Sequence, residues 1–528
     1  MVVPLRIWMT GKTRQVWLVL IGVVGFVLLI ACANVAGLLI ARSAARRRET
    51  SIRIALGAPA GRLIQQSFVE SLVLAAIGSA IGLALAAALV RGLVPLIPDA
   101  MLAGRPVHID SPVFLFTAGT AVLIALLFGI APAARIEIRG ALVVAEVAMS
   151  FALLTAAALM ARSFGALTAV DPGFRADHVL TLFVTLPASS YSAPARQFQF
   201  FSEALDRLAA LPGVRDAALA SAIPFSAANP GFAVASVEGE PAWDTTDVLR
   251  HRVETVFISP RYFAALRTPL IEGRDLGPAD DQAAIVNQAF ARRFFAVGPA
   301  TGHRIKMGPV ESPAPWLTVV GVARDSKRSA LEEDAAPAVF RPYRQRANLR
   351  SAGFILRTSS DPAAFSEAAR RTLASLDGAV AASDIEALDH RLQRAMASQK
   401  LRSVASLLLA VLALGMVITG LYGVLSYLVI QRASEIGVRM AIGAGPRQIF
   451  ELVLRRGVLL ALAGIAAGLP LSLFASASLR GLLFGVAPTD PLTLGIASVL
   501  MLAVALAASV VPAFRATRTD PIRCLRQE

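Results

Sequence analysis

The sequence predicts a multi-pass α-helical membrane protein of about seven spans, two three-helix repeats plus one linking span, with one α/β (α+β) domain outside the membrane. Three observations carry that prediction. Seven apolar runs are each long enough to supply the roughly 20 helical residues that a bilayer core requires. A long stretch of ordinary soluble composition separates the fourth run from the fifth. A charged segment is also written twice: Glu49-Thr-Ser-Ile-Arg53-Ile-Ala-Leu-Gly57-Ala58 returns as Glu435-Ile-Gly-Val-Arg439-Met-Ala-Ile-Gly443-Ala444, at an offset of 386 residues. The same offset carries Gly37 onto Gly423, Gly78 onto Gly464 and Gly82 onto Gly468. Each copy follows one apolar run and precedes another, so the repeated unit is a membrane module.

The runs are approximately Val16–Ile40, Phe68–Leu93, Pro112–Ala134, Ala141–Met160, Val404–Ile430, Val453–Ala477 and Leu492–Ala513. Orientation follows from the arginines at their ends. Arg42, Arg46, Arg47, Arg48, Arg53 and Arg62 follow the first run, and Arg135 and Arg139 lie between the third and fourth. Arg432, Arg439 and Arg447 follow the fifth, and Arg515, Arg518, Arg523 and Arg526 the seventh. The other side has Arg91, Arg105 and Arg480. Positive charge in short loops marks the cytoplasmic side. Both repeated motifs and the C-terminus are therefore expected in the cytoplasm, with residues 166–398 and the N-terminus outward. The basic stub Arg6, Lys12, Arg14 opposes this locally and is outweighed by the summed bias. The expected divisions are an outward stub (1–15), a first membrane module (16–135), a fourth span leading outward (136–165), the outward domain (166–398) and a second membrane module (399–528).

Composition narrows the function classes. The chain is 56% hydrophobic with a formal charge of +15, and the placement of that charge at span ends argues for topology rather than nucleic-acid binding. Two cysteines, Cys32 and Cys524, imply no disulfide framework or thiol pair. Leu29-Ile-Ala-Cys32 imitates a lipoprotein cleavage site, but the apolar run continues through Ile40, too long for such a leader. Gly11-Lys12-Thr13 imitates the end of a phosphate-binding loop, yet Arg6 stands where its earlier glycine is needed. ATP, if it drives this chain, is expected on another subunit.

The outward domain reads as mixed α/β. Strands are expected over 179–186, near 217–222, over 316–322 and over 353–357, with helices over 194–211 and 362–376. Two strand–helix–strand units then flank a β-rich insert. No His/Cys/Asp cluster, Gly-Xaa-Ser-Xaa-Gly elbow or His-Glu-Xaa-Xaa-His motif occurs in it. His108, His178, His251, His303 and His390 are read as surface or satisfied residues. No enzyme activity, cofactor or metal is expected.

Three sets of residues carry the mechanistic expectations. In both motif copies the arginine follows the glutamate at i+4, so Glu49 with Arg53 and Glu435 with Arg439 share one helix face, a pair worth about 0.3–0.5 kcal/mol when exposed. Ile52, Ile54 and Leu56, and Val438, Met440 and Ile442, can lie against a membrane surface or a partner, while Gly57 and Gly443 stand where helix C-caps would. The result is a short amphipathic helix joining two spans, suited to pass motion between a soluble partner and the membrane; the plainer reading is a surface helix that only fixes topology. Gly78 and Gly82, and Gly464 and Gly468, have the spacing of four that lets helices approach closely. Glu70, Glu146, Arg455 and Arg456 are ionisable residues within spans and need partners or the interface. The offset sets Glu70 opposite Arg456, so a pair between the modules is one expectation and snorkelling at the interface the other.

The Glu-Ile-Gly-Xaa-Arg-Xaa-Ala-Xaa-Gly-Ala pattern after one span and before two more resembles the MacB/FtsX-type permeases, membrane subunits of ABC systems. Two such modules around an outward domain look like the duplicated orphan permeases described from acidobacteria. Supporting stretches are Ala145-Glu-Val, Val170-Asp-Pro-Gly-Phe174, Ile258-Ser-Pro-Arg-Tyr-Phe263, Gly273-Arg-Asp275 and Val286-Asn-Gln-Ala-Phe-Ala-Arg-Arg-Phe294. Further ones are Val319-Val-Gly-Val322, Gly420-Leu-Tyr-Gly-Val-Leu-Ser426, Leu483-Phe-Gly-Val486 and Thr489-Asp-Pro491. The resemblance implies two FtsX-like modules, a MacB-like periplasmic core with a porter-like part and a strand-rich part, and a fifth span continuing as a helical stalk. It further implies an inner-membrane permease subunit that relays the cycle of a separate cytoplasmic ABC ATPase to the periplasmic domain, for export or an envelope process. Glu49, Arg53, Gly57, Glu435, Arg439 and Gly443 are the docking candidates, and periplasmic proteins and the lipid bilayer are further partners. Relative to the full duplicated permeases, the first half lacks its opening span and periplasmic domain. The alternative is an orphan or truncated membrane protein acting without an ATPase in a sensory, structural or vestigial role.

Overall fold

A computed structural model describes residues 21–35, 59–93, 110–129, 136–226, 230–240, 248–295, 298–442 and 445–518. It divides into two compact units, Met1–Thr168 with Ser398–Glu528, and Ala169–Ala397. The helical unit opens with α1 (Ile21–Val35), α2 (Ala60–Leu93), α3 (Ser111–Gly129) and α4 (Ile136–Thr168). α2 packs along α3.

The α/β unit begins with β1 (Val179–Thr185), α5 (Pro194–Ala209) and β2 (Val214–Ala220). β3 (Gly231–Val237), α6 (Val248–His251), β4 (Arg252–Ile258), α7 (Tyr262–Leu266), β5 (Leu270–Gly273), β6 (Ala283–Asn287), α8 (Gln288–Phe294), β7 (Arg304–Met307), β8 (Trp316–Ala323) and β9 (Ala338–Pro342) follow. β10 (Ser351–Thr358), α9 (Ser366–Leu376) and β11 (Ala382–Ala387) complete it. The two strand–helix–strand units, β1–α5–β2 and β10–α9–β11, form one antiparallel sheet in the order β11-β1-β10-β2. Alternate side chains of β1 enter two cores. Leu180, Leu182 and Val184 pack with Phe201 of α5 and Leu373 of α9, whereas Val179 and Phe183 pack with Tyr262 and Phe340. Burial on both faces explains why β1 reads as a continuous apolar run.

The insert is a ring. Pairing runs β4-β3-β7-β8-β6-β9, and β9 returns to β4 in parallel, Val256 opposite Phe340. Val253, Val286, Phe290, Ile305, Leu317 and Val339 fill one core of the insert. Closure protects strands as short as four residues, which could not stand at an open edge. The stretches that carry the resemblance have local roles here. Gly173 (φ +80) and Gly273 (φ +71) adopt the left-handed conformation, and a Cβ on either would overlap a backbone carbonyl oxygen, that of Asp325 or of Val320. Arg274 donates to both Asp280 oxygens at 2.6 and 2.9 Å and holds that carboxyl below its usual range. Asn287 caps α8 by accepting from Phe290 N at 3.0 Å, and also accepts from Ala338 N at 2.8 Å. Arg328 and Glu254 are buried together at 3.3 Å, and burial pushes the Glu254 carboxyl up although Arg328 opposes it.

The chain then returns to helices: α10 (Leu388–Gln431), α11 (Ala433–Ala441), α12 (Pro446–Leu479) and α13 (Pro491–Thr517). Among the described residues five helices are long and apolar enough to cross a membrane, those at α2, α4, α10, α12 and α13, and α1 adds a shorter apolar helix. α4 is the central one: 67% of its most apolar stretch is buried by protein, against 28% or less in the others. It packs on α12 and α13 through Val143, Val147, Phe151 and Leu154, which meet Ala461, Ala497 and Met501.

Phe201 is fully buried between β1 and α5. Phe201→Ala is expected to destabilise the α/β unit by about 3–5 kcal/mol, read as a lowered unfolding midpoint of the detergent-solubilised chain.

Candidate functional site

The second repeated motif is α11, a nine-residue helix between α10 and α12. Ile436 anchors it, 4% exposed in a cluster with Leu425 of α10, Ile449 and Val453 of α12 and Ala513 of α13. Glu435 accepts from Arg439 at 2.7 Å, and Arg432 stands 3.7 Å from the same carboxylate. This is the i,i+4 pair expected from the spacing, with side chains about half exposed. Val438 and Ile442 are 42% and 82% exposed, whereas Met440 is drawn against the anchoring cluster. α11 therefore has one face fixed to the bundle and a neighbouring apolar edge left open. Glu49, Arg53, Gly57 and Gly443 lie outside the described residues.

The two glycine pairs differ in their surroundings. A Cβ on Gly464 would sit 2.5 Å from the Val147 Cβ, and one on Gly468 would sit 2.9 Å from the Ala148 carbonyl oxygen, so α12 and α4 touch backbone to backbone. A Cβ on Gly78 or Gly82 would meet nothing within 4 Å among the described residues. Of the charges within spans, Glu70 lies on α2, and Arg455 and Arg456 are exposed on the third turn of α12. Arg456 shares a groove with Glu435, the acid of its own module.

Glu146 is the intramembrane charge whose environment is most specific. It is 2% exposed on α4. Asn34 of α1 donates to its Oε1 at 2.8 Å, and to the Met416 carbonyl of α10 at the same distance. Gly420 lies against both, since a Cβ there would overlap Glu146 Oε2 and come within 2.8 Å of Asn34 Oδ1. Positions 34 and 420 are related by the repeat offset of 386. The equivalent helices of the two modules thus meet α4 at equivalent positions, one offering an amide and the other the space for it. Glu146 thus lies within the bundle rather than on its surface. Asn34 was not among the sequence candidates; an asparagine inside an apolar run is the signal that points to it.

A second polar cluster ties α4 to the α12–α13 connection. Ser163 Oγ accepts from Phe484 N at 2.8 Å and from Gln399 at 3.1 Å. Arg162 pairs with Asp490 and donates to Thr493 at 2.9 Å, while Asp490 caps α13 by accepting from Thr493 N at 2.8 Å. Leu483-Phe-Gly-Val486 and Thr489-Asp-Pro491 are the segments it holds. At the other end of α13, Arg515 donates to the Tyr422 hydroxyl at 2.6 Å. Among the described residues no three His, Cys, Asp or Glu side chains gather as metal ligands would. His251 Nδ1 lies 3.1 Å from the Ala235 carbonyl and His178 Nδ1 lies 3.2 Å from that of Ser360.

The glycine geometry gives a paired expectation. Gly464→Val overpacks the α4–α12 contact and costs about 1–3 kcal/mol, whereas Gly78→Val stays within about 0.5 kcal/mol. Thermal unfolding of both variants in one detergent checks the difference.

The FtsX-like permease C-terminal family matches residues 21–137 and 407–521, and the MacB-like periplasmic core domain family matches residues 143–373. The macrolide export ATP-binding/permease protein MacB 1/2 of Paracoccus denitrificans is 26% identical over 317 residues, 56% of this chain and 45% of that protein. The pyoverdine export ATP-binding/permease protein PvdT of Pseudomonas entomophila is 26% identical over 283 residues, 50% of this chain and 41% of that protein. The chain therefore spans less than half the length of these curated relatives. Among solved structures, the periplasmic region of MacB from Actinobacillus actinomycetemcomitans aligns with 42% of this chain and 93% of its own, at 14% identity and TM-score 0.29. A domain of a permease protein from Porphyromonas gingivalis aligns with 42% of this chain and 99% of its own, at 17% identity and TM-score 0.26. With two FtsX-like segments on either side of a MacB-like core, the chain belongs to the MacB/FtsX-type permeases of the inner membrane.

Proposed function

We propose that this chain is the permease subunit of an ABC-type system, in which a separate cytoplasmic ATPase docks on the repeated motifs and its cycle is relayed to the periplasmic domain. The observation that carries the proposal is α11. Ile436 fixes it to α10, α12 and α13, while the Glu435–Arg439 pair, Val438 and Ile442 remain exposed. A short helix held this way transmits a push on its open edge to three spans at once. α10 suits the relay because it is one unbroken helix from Leu388 to Gln431. The arginines beside both motif copies place them, in this proposal, on the cytoplasmic side together with the C-terminus. Both curated relatives are named as ATP-binding/permease proteins for export, which supports an ATPase partner. Glu49, Arg53 and Gly57 are proposed to form the equivalent docking segment of the first copy, so one chain would meet two ATPase protomers.

Affinity purification from native membranes tests this, with the wild type beside Glu435→Arg. Reversing the charge sets a second arginine beside Arg439 on the helix, next to Arg432 at its N-cap, and removes the acidic element that a basic ATPase groove would read. The wild type is expected to bring down an ATP-binding protein and the variant to lose it while remaining folded. A folded wild type that never retains an ATPase would instead favour the orphan reading.

A further inference from the structure

A groove opens between the last turns of α10, α11 and the second and third turns of α12, and its lining combines two chemistries. Leu428, Val429 and Leu452 are among its apolar residues. Its charged residues are Arg432, Arg439 and Arg456 against the single carboxylate of Glu435. Arg432 and Arg439 already share that carboxylate, at 3.7 and 2.7 Å. Arg456 has no ion-pair partner among the described residues. The groove therefore carries a net positive charge where apolar helices give way to polar ends. Such a site matches one class of molecule in both halves: a headgroup bearing a phosphate, joined to acyl chains.

We infer that this groove binds one anionic phospholipid, its phosphate on Arg456 and its acyl chains along Leu428, Val429 and Leu452. Basic pockets at the cytoplasmic ends of spans select anionic headgroups by charge. Guanidinium forks also match phosphate oxygens in geometry. A zwitterionic headgroup would bring a cation towards three arginines and be disfavoured. The repeat sharpens the inference into a stoichiometry. In the first copy the positions of Arg432, Arg439 and Arg456 are Arg46, Arg53 and Glu70, so the guanidinium that takes the phosphate is replaced there by a carboxylate. One site per chain follows, rather than two. The inference needs no ATPase, so its failure leaves the coupling proposal standing and the converse also holds.

The test uses the full chain in nanodiscs of phosphatidylcholine doped with phosphatidylglycerol, with retained lipids counted by native mass spectrometry after partial delipidation. One phosphatidylglycerol per chain should persist on the wild type while phosphatidylcholine is lost. Arg456→Gln should weaken retention about fivefold, the worth of one arginine at an anionic surface. Arg456→Lys should keep most of it. Arg447→Gln removes a charge outside the groove, from a side chain 92% exposed, and should change nothing. Arg432→Gln gives the same reading should Arg456→Gln fail to fold. Equal retention of phosphatidylcholine, an equal loss in Arg447→Gln, or retention unchanged in Arg456→Gln overturns the inference. Displacement of phosphatidylglycerol by millimolar inorganic phosphate also overturns it, since the site would then take the free ion.

Discussion

A carboxyl group buried among apolar helices must be hydrogen-bonded where it lies, because neither lipid nor hydrocarbon side chains can replace the water it lost. Glu146 imposes that requirement on the helical unit. Its donor, Asn34, comes from α1, and Asn34 in turn holds the Met416 carbonyl of α10. Gly420 leaves the room that both side chains occupy. Three helices far apart in sequence are thereby fixed in one register by polar atoms. The apolar contacts around them, such as Ile30 with Leu153 and Ala413, specify the neighbourhood but tolerate sliding more readily. In a membrane, where apolar association between helices is weak, small residues and polar contacts of this kind decide which faces meet.

The repeat explains why the node takes this form. Two copies of one module bring equivalent helices to the shared helix α4, so equivalent positions compete for the same space. The two copies differ there, and the difference resolves the competition: position 34 is an amide and position 420 a glycine. Other offset pairs diverged as well. Gly464 and Gly468 press on α4 while Gly78 and Gly82 meet none of the described residues, and the arginine at 456 stands where the first copy has Glu70. The motif that gave the repeat away is thus the part under the least internal packing demand. In the second copy Glu435 and Arg439 are exposed, and among its described side chains Ile436 is the one the bundle buries.

Much of this was legible in the sequence. Apolar runs located the five long apolar helices found among the described residues, because length and hydropathy are sufficient signals for a bilayer core. The two strand–helix–strand units were visible because β1 and β10 are long and buried on both faces, and α5 has a clear apolar stripe. The ring was not. β6 and β7 are five and four residues long, and the closing β4–β9 ladder joins segments some eighty residues apart, a pairing that no local pattern encodes. The i,i+4 pair of α11 followed from spacing alone. The partner of Glu146 did not, since Asn34 lies 112 residues away and no local pattern joins the two.

A double-mutant cycle on Asn34→Leu and Glu146→Leu, read by equilibrium unfolding in mixed micelles, tests the central claim most directly. The account predicts that the two substitutions couple by about 0.6–1.7 kcal/mol, because each removes the same hydrogen bond while filling similar volume. Effects that add to within about 0.3 kcal/mol would contradict it. The two side chains would then be neighbours without being partners, and the register of the bundle would have to rest on its apolar contacts.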